Sequence, residues 1–167
     1  IYGVVNNAAI YPKSPATDLE PEEFAGVLAV NAVAAATVVK TCLPAMKTLG
    51  AGRLVNITSN TFDTGMVGLG AYVASQGALV GLSRVWAREL GAFGITSNAV
   101  APGAFRTDAE KIHPNPEEYD AIVLEQQSVK RRGEPSEFAS LVTYLLGPNA
   151  GFISGQTIRI DGGWVTQ

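Results

Sequence analysis

Apolar residues fall along this chain in short continuous runs that alternate with segments of helical spacing. Ile1 to Val5 is a β-rich run that stops at Asn6-Asn7, a strand-end and turn signal. A loop bearing proline and serine, Tyr11 to Pro15, follows. Pro21 with Glu22 and Glu23 opens a helix with negative charge in its first turn. Phe24, Val27, Leu28, Asn31, Ala35, Val38, Cys42 and Ala45 continue it at helical spacing, with Pro44 expected to kink it near its end. Gly50-Ala51-Gly52 breaks the chain. Arg53 to Thr58 reads as a second strand, apolar enough to be covered on both faces.

Ser59 to Gly70 is a polar, glycine-rich loop. A long helix runs from about Tyr72 to Leu90 and ends at Gly91 and Gly94. Its Gly77, Ala78 and Gly81 are small enough to admit another backbone. Ile95 to Ala101 is a third strand, closed by Pro102-Gly103. Asp108 to Arg132 reads as a polar, helical or mobile excursion. Pro135 to Leu146 is a further helix with Ser136 as its early cap, and Gln156 to Ile160 is the last strand. This alternation predicts an α/β fold with a mainly parallel sheet of four strands, right-handed crossovers and helices on the faces. There is no internal repeat, so residues 1–167 read as a single domain.

Composition narrows the possibilities. Hydrophobic residues at 47% and charged residues at 16% give a globular balance. A net charge of −3 offers no basic stripe for nucleic acid. The one cysteine, Cys42, forms no intrachain disulfide, which points to a reducing, cytoplasmic setting. Cys42 and the single histidine, His113, are too few for a zinc site, so no metal is expected. The longest apolar stretch, Phe24 to Val39, is broken by Asn31 and Thr37, so no membrane span is expected. The chain opens on Ile1 with no secretory leader ahead of its first strand. Something upstream is expected to be lost, cleaved or unrecorded.

A series of motifs then carries a resemblance. Asn6-Asn7-Ala8-Ala9 follows the first strand, Asn31 lies in the first helix, and Ser59 follows the second strand. Tyr72 comes thirteen residues later. Pro102-Gly103 with Thr107 follows the third strand, and Gly155-Gln156 with Asp161-Gly162-Gly163 closes the chain. In order and spacing the series resembles the short-chain dehydrogenase/reductase family, from that family's fourth strand to its C-terminus. The resemblance covers essentially the whole chain, as the C-terminal two thirds of such a protein.

The resemblance implies a Rossmann-like, truncated doubly wound sheet whose four strands stand in the family order 4-5-6-7. It implies an oxidoreductase that acts on a carbonyl or secondary alcohol with NAD or NADP. Tyr72 would exchange a proton with the substrate oxygen and Ser59 would orient that oxygen. Asn31 would kink its helix and serve a proton relay. Asn6, Ala8 and Ala9 would lie at the cofactor's adenine side. Pro102, Gly103 and Thr107 would border the nicotinamide, with Thr107 on the carboxamide.

Two departures qualify that expectation. The glycine-rich turn that holds a dinucleotide's pyrophosphate at a helix N-terminus is absent from these residues. The family's Tyr-x-x-x-Lys reads Tyr72-Val-Ala-Ser-Gln76 here, and i, i+4 spacing puts both side chains on one helix face. Gln76 hydrogen-bonds a ribose but lends no charge to a phenolate. An unassisted tyrosine has a pKa of about 10, so about one molecule in a thousand is ionised at neutral pH. Arg84 and Arg88 lie further along the helix and substitute poorly. Tyr72 is therefore expected to titrate as an ordinary phenol, and the cofactor to bind very weakly or not at all.

Plainer roles stand beside these. Asn6-Asn7 also reads as a polar strand cap, Asn31 as a hydrogen-bonded structural amide, and Pro102-Gly103 as an ordinary turn. His113 reads as an exposed loop residue and Arg131-Arg132 as a solvated face. Three functions remain open: a weak or defective reductase, a hydrolase-like enzyme using the Ser59/Tyr72 pocket without a dinucleotide, and a non-catalytic association module. No histidine stands near Ser59 and no Gly-x-Ser-x-Gly elbow is present, which weighs against the hydrolase. A homo-oligomer, dimer or tetramer, is expected through the helices of Asn31 and Tyr72 and the last strand. The strand Ile1 to Val5 would otherwise be a bare sheet edge. Beyond its own copies, only a small carbonyl or alcohol substrate is expected as a partner.

Overall fold

The structure is a computed structural model, and it describes residues 1–107 and 115–166. Four parallel strands form one sheet: β1 (Gly3–Asn6), β2 (Gly52–Ile57), β3 (Ile95–Pro102) and β4 (Thr157–Ile160), side by side in sequence order. This is the α/β parallel sheet that the alternating pattern predicts, and the Rossmann-like architecture that the resemblance implies. The helices are α1 (Pro21–Leu28), α2 (Ala34–Leu49), α3 (Thr61–Thr64), α4 (Gly70–Leu90), α5 (Pro116–Gln126) and α6 (Pro135–Leu146).

The pleat sends neighbouring residues to opposite faces. Val4, Leu54 and Ile95 pack under α2 and α4 against Val39, Met46, Trp86 and Leu90. Val55 and Val100 pack on the other face against Leu145, Phe138 and Leu141 of α6. β2 and β3 are consequently buried almost throughout, as their apolar runs require. Among the described residues β1 pairs with β2 alone, and Val5 within it and Tyr2 just before it stay exposed. The turns entering β2 and β3 touch at Gly94. Its φ is 71°, and an added Cβ there would lie 2.3 Å from the Gly50 carbonyl oxygen, so only glycine fits.

α1 and α2 are one helical run joined by a π-helical turn, Ala29–Val33. Pro21 sits at the first helical position ahead of Glu22 and Glu23, as expected. Pro44 lies inside α2, which continues to Leu49. The run of 29 residues is long and apolar enough to cross a membrane by length and composition alone, a test that a core helix also passes. A window average absorbs one Asn31 among many Ala and Val. One face of the run packs on the sheet and α4, while Val30, Val33 and Val38 are exposed.

Other boundaries differ from the sequence reading. Ser136 does not cap α6: the cap is Glu134, whose backbone N–H donates to the Glu137 carboxylate at 2.8 Å. Gly77 admits a ring rather than a backbone, since an added Cβ would lie 2.8 Å from the Phe62 ring; Gly81 meets nothing within 4 Å. The polar excursion contains α5, capped by Asn115, whose side chain accepts from the Glu118 N–H. His113 lies outside the described residues. Arg131 is exposed and paired with Glu137, but Arg132 is buried. Its guanidinium lies over the Tyr119 ring, bonds Asp120 and donates from Nε to the Ala104 carbonyl. Stacking on an aromatic ring removes this arginine from water, which adjacency to Arg131 concealed.

Candidate active site

The C-terminal ends of the strands are where open α/β sheets leave a crevice. Here that crevice is a cavity of about 540 Å³, walled by the ends of β2 and β3, α3, the first turn of α4 and the segment after β4. Ser59, Tyr72, Gln76, Ala9, Pro102, Gly103 and Thr107 all line it. Asn6, Ala8 and Asn31 do not.

Ser59 leaves β2 and is braced by α3, a four-residue helix too short to leave a period in the sequence. The Thr61 backbone N–H and hydroxyl both donate to Ser59 Oγ, at 3.1 and 2.9 Å. Tyr72 stands in the first turn of α4 with its ring edge-on to Tyr11, centroids 5.9 Å apart. Burial pushes the Tyr72 phenol above its ordinary value of 10.0; a hydrogen bond from Ser59 pulls it back in part, and Tyr11 raises it further. The expectation of an ordinary phenol is thereby corrected, because desolvation acts even where no charge does.

Gln76 lies one turn beyond Tyr72 and is 1% exposed. Its Nε2 donates to Ser75 Oγ at 3.3 Å, while its Oε1 is buried without a partner. Ser75 Oγ donates to the Tyr72 carbonyl at 2.6 Å and accepts from Asn31 Nδ2 at 2.9 Å. Asn31 Oδ1 accepts from the Ile10 N–H and its Nδ2 donates to the Ile10 carbonyl. Asn31 thus ties the segment after β1 to α4 from behind the cavity, with every amide group engaged.

Asn6 turns away from the cavity because it shares a face with Val4. Its Nδ2 donates to Asn56 Oδ1 at 2.7 Å, Asn56 Nδ2 donates to Ser83 Oγ at 2.8 Å, and Ser83 donates to the Leu79 carbonyl. Asn7 lines the cavity instead. Gly103 is required by packing: an added Cβ would lie 2.7 Å from Asp161 Cα. The Asp161 carboxylate accepts from the Gly163 and Val165 N–H groups, a turn that presents Trp164 to the cavity.

Sequence reasoning missed Asn60, Met66, Leu69, Phe105, Phe138 and Trp164, which also line the space. Only Asn60 carried a signal, as a polar neighbour of Ser59. Among the described residues, no Asp, Glu, Lys, Arg or His lines the cavity. Nor do the described residues contain a cluster of three acidic, histidine or cysteine side chains fit for a metal.

Comparison with known proteins identifies the lineage. The family described as Enoyl-(Acyl carrier protein) reductase matches residues 1–165. The 3-oxoacyl-[acyl-carrier-protein] reductase FabG of Vibrio cholerae serotype O1 is 33% identical over 160 residues, which are 96% of this chain and 65% of that protein. Dehydrogenase/reductase SDR family member 4 of Oryctolagus cuniculus is 32% identical over 161 residues, 96% of this chain and 62% of that protein. The chain therefore spans less than two thirds of the length of these curated relatives. Among solved structures, 4-hydroxyisoleucine dehydrogenase complexed with NADH is 30% identical with a TM-score of 0.92, covering 98% of this chain and 68% of that one. The TT0495 protein from Thermus thermophilus is 32% identical with a TM-score of 0.92, covering 98% and 70%. Matched over nearly all of its residues, and with the motifs gathered at one sheet edge, the chain belongs to the short-chain dehydrogenase/reductase family.

Proposed function

We propose that the chain carries the substrate and nicotinamide end of an NAD(P)-dependent oxidoreductase site for a carbonyl or secondary alcohol. The observation that carries this reading is that Ser59, Tyr72, Pro102 and Gly103 line one cavity. A serine hydroxyl has one proton and two lone pairs. Thr61 donates twice to Ser59 Oγ, so what Ser59 has left to offer is its proton. When a substrate oxygen enters, Ser59 redirects that proton from the phenol to it and holds it beside Tyr72.

Tyr72 is protonated at neutral pH, as an ordinary phenol already is, and burial raises its pKa further. It supplies a proton to an oxygen that gains negative charge, which favours carbonyl reduction. Alcohol oxidation would need the phenolate, which Gln76 does not stabilise; a cation in its place would lower the phenol by about 1–3 units. Turnover is therefore slow.

The residues present fit a nicotinamide riboside. Asn7, Ala9, Pro102, Gly103 and Thr107 line the cavity, and the unpartnered Gln76 Oε1 would accept from a ribose hydroxyl. Such a dinucleotide, when bound, supplies or takes the hydride. Asn6 and Ala8 do not line the cavity. With no pyrophosphate-holding glycine turn among these residues, binding by the 167-residue chain alone is weak, millimolar or worse. The same cavity gives a serine nucleophile no base among the described residues, so the hydrolase reading is not favoured.

Val30, Val33 and Val38 on the long helical run and Val85 on α4 are exposed apolar side chains that a second copy would cover, as dimer or tetramer. Cytoplasmic residence belongs to the same reading, since the buried thiol of Cys42 is unpaired. The test is NAD(P)H oxidation with small ketones. Slow turnover that disappears in Tyr72→Phe is the expected result; turnover indifferent to Tyr72→Phe overturns the reading.

A further inference from the structure

Asn60 occupies the N-cap position of α3, yet its side chain makes no capping hydrogen bond. Its backbone is fully used: the N–H donates to the Pro102 carbonyl at 3.0 Å, and the carbonyl accepts from Asp63 and Thr64. The side chain is 6% exposed, and its Nδ2 is buried with no partner. A buried amide donor left unpaired costs about 1–3 kcal/mol, so a fold has no reason of its own to keep one. Asn60 lines the same cavity as Ser59 and Tyr72.

The other described residues that line the cavity are uncharged. Tyr11, Phe105, Phe138 and Trp164 contribute rings, and Met66 and Leu69 contribute apolar chains. Phe105 and Phe138 meet edge to face, centroids 5.8 Å apart, which leaves ring surface for a third partner. Among the described lining residues no cation awaits a carboxylate or phosphate. Moving an anion into such a space without a partner is strongly unfavourable.

We propose that the cavity takes an uncharged, ring-bearing ketone or alcohol whose second oxygen accepts a hydrogen bond from Asn60 Nδ2. The inference rests on the reading of Ser59 and Tyr72 as holders of the reacting oxygen, and it names the substrate class for that site. Asn60 is a specificity residue: it sits beside Ser59 and fixes the far end of the substrate while the rings fix its plane.

The test uses the 167-residue chain and three probes on one frame: acetophenone, methyl 4-acetylbenzoate and 4-acetylbenzoate. Binding is measured by ligand-observed NMR and calorimetry, without cofactor. The ester is expected to bind tightest, and the carboxylate at least roughly tenfold more weakly than either neutral probe. Asn60→Ala is expected to weaken the ester about three- to tenfold, the worth of one neutral hydrogen bond, and to leave acetophenone unchanged. Unchanged acetophenone binding also reports that the variant's cavity is intact. A carboxylate that binds as tightly as the ester overturns the proposal. So does equal weakening of both neutral probes by Asn60→Ala, or no binding of either at millimolar concentration. Cofactor-dependent turnover is a separate readout: selective binding without turnover leaves this inference standing and sinks the oxidoreductase reading alone.

Discussion

Arg159 on β4 grips Asp63 on α3 through two charge-assisted bonds, Nε to Oδ2 at 2.8 Å and Nη2 to Oδ1 at 2.7 Å. The two residues are 96 positions apart in sequence. The pair fastens the short helix that braces Ser59 to the last strand of the sheet. Both side chains are mostly buried, so solvent screens the pair less than an open surface bridge. Asp63→Asn is expected to cost about 1–3 kcal/mol in chemical denaturation. Turnover should fall further than stability alone explains, with partial rescue by Asp63→Glu. A loss below about 0.5 kcal/mol would place the pair with ordinary surface bridges and remove it from the site's support.

The Tyr72 phenol titrates above its ordinary value because it is buried. The difference spectrum between the parent chain and Tyr72→Phe should therefore show a midpoint above 10.0. Gln76→Lys should move that midpoint down. Linkage gives the sign for stability: a group whose folded pKa is raised stabilises fully below its unfolded pKa and loses that contribution as pH rises through the folded value. Alkaline unfolding of the parent should thus set in above pH 10 with a Tyr72 component that Tyr72→Phe lacks. A midpoint below 10 in the parent would mean that a cation reaches the phenol.

Glu137 behaves in the opposite sense. Hydrogen bonds from the Arg131 guanidinium and the Glu134 N–H hold its carboxyl down at about 2 from 4.5. A depressed carboxyl stabilises above its unfolded pKa and loses that contribution as pH falls through the folded one. Glu137→Gln should lower thermal stability at neutral pH, and the gap to the parent should close between pH 4.5 and about 2. A gap that persists unchanged at about pH 2 would assign the effect to packing.

The apolar face of the helical run should hold copies together. Val33 is 59% exposed at its centre. Val33→Asp is expected to shift the species seen by light scattering toward the monomer without altering the circular dichroism of the helices. A parent chain that is already a stable, folded monomer at micromolar concentration would refute the oligomer.

Much of this was legible in the sequence. Runs of apolar residues marked the four strands, and the β-α-β alternation set their order. Ser59, Tyr72 and Gln76 reached one cavity because strand-end and first-turn positions share the sheet's C-terminal edge. Asn6 does not line the cavity and bonds Asn56 instead. The pleat puts it on the face of Val4, toward Asn56, and a strand-end asparagine alone does not reveal which way it points. α3 was invisible because four residues make no helical period. Trp164 and Phe138 reach the cavity only through tertiary placement of β4 and α6. Burial of the phenol was likewise unreadable, since it depends on Tyr11, 61 positions away in sequence (72 less 11).

The π turn at Ala29–Val33 has a consequence for how this protein tolerates insertion and deletion. Such a turn holds one residue more than the α pitch accommodates, so the helix on either side runs in two phases. The upstream phase lays α1 along α4, and the downstream phase aims Val39 and Met46 at the sheet. Loss of one residue here would leave a smoother helix, with better internal hydrogen bonding. It would also swing everything upstream by about 100°, carrying Val27 off α4 and the partners of Asn31 out of reach. The irregular helix is the one the fold can use, and its surplus residue works as a phase adjuster between two packing surfaces.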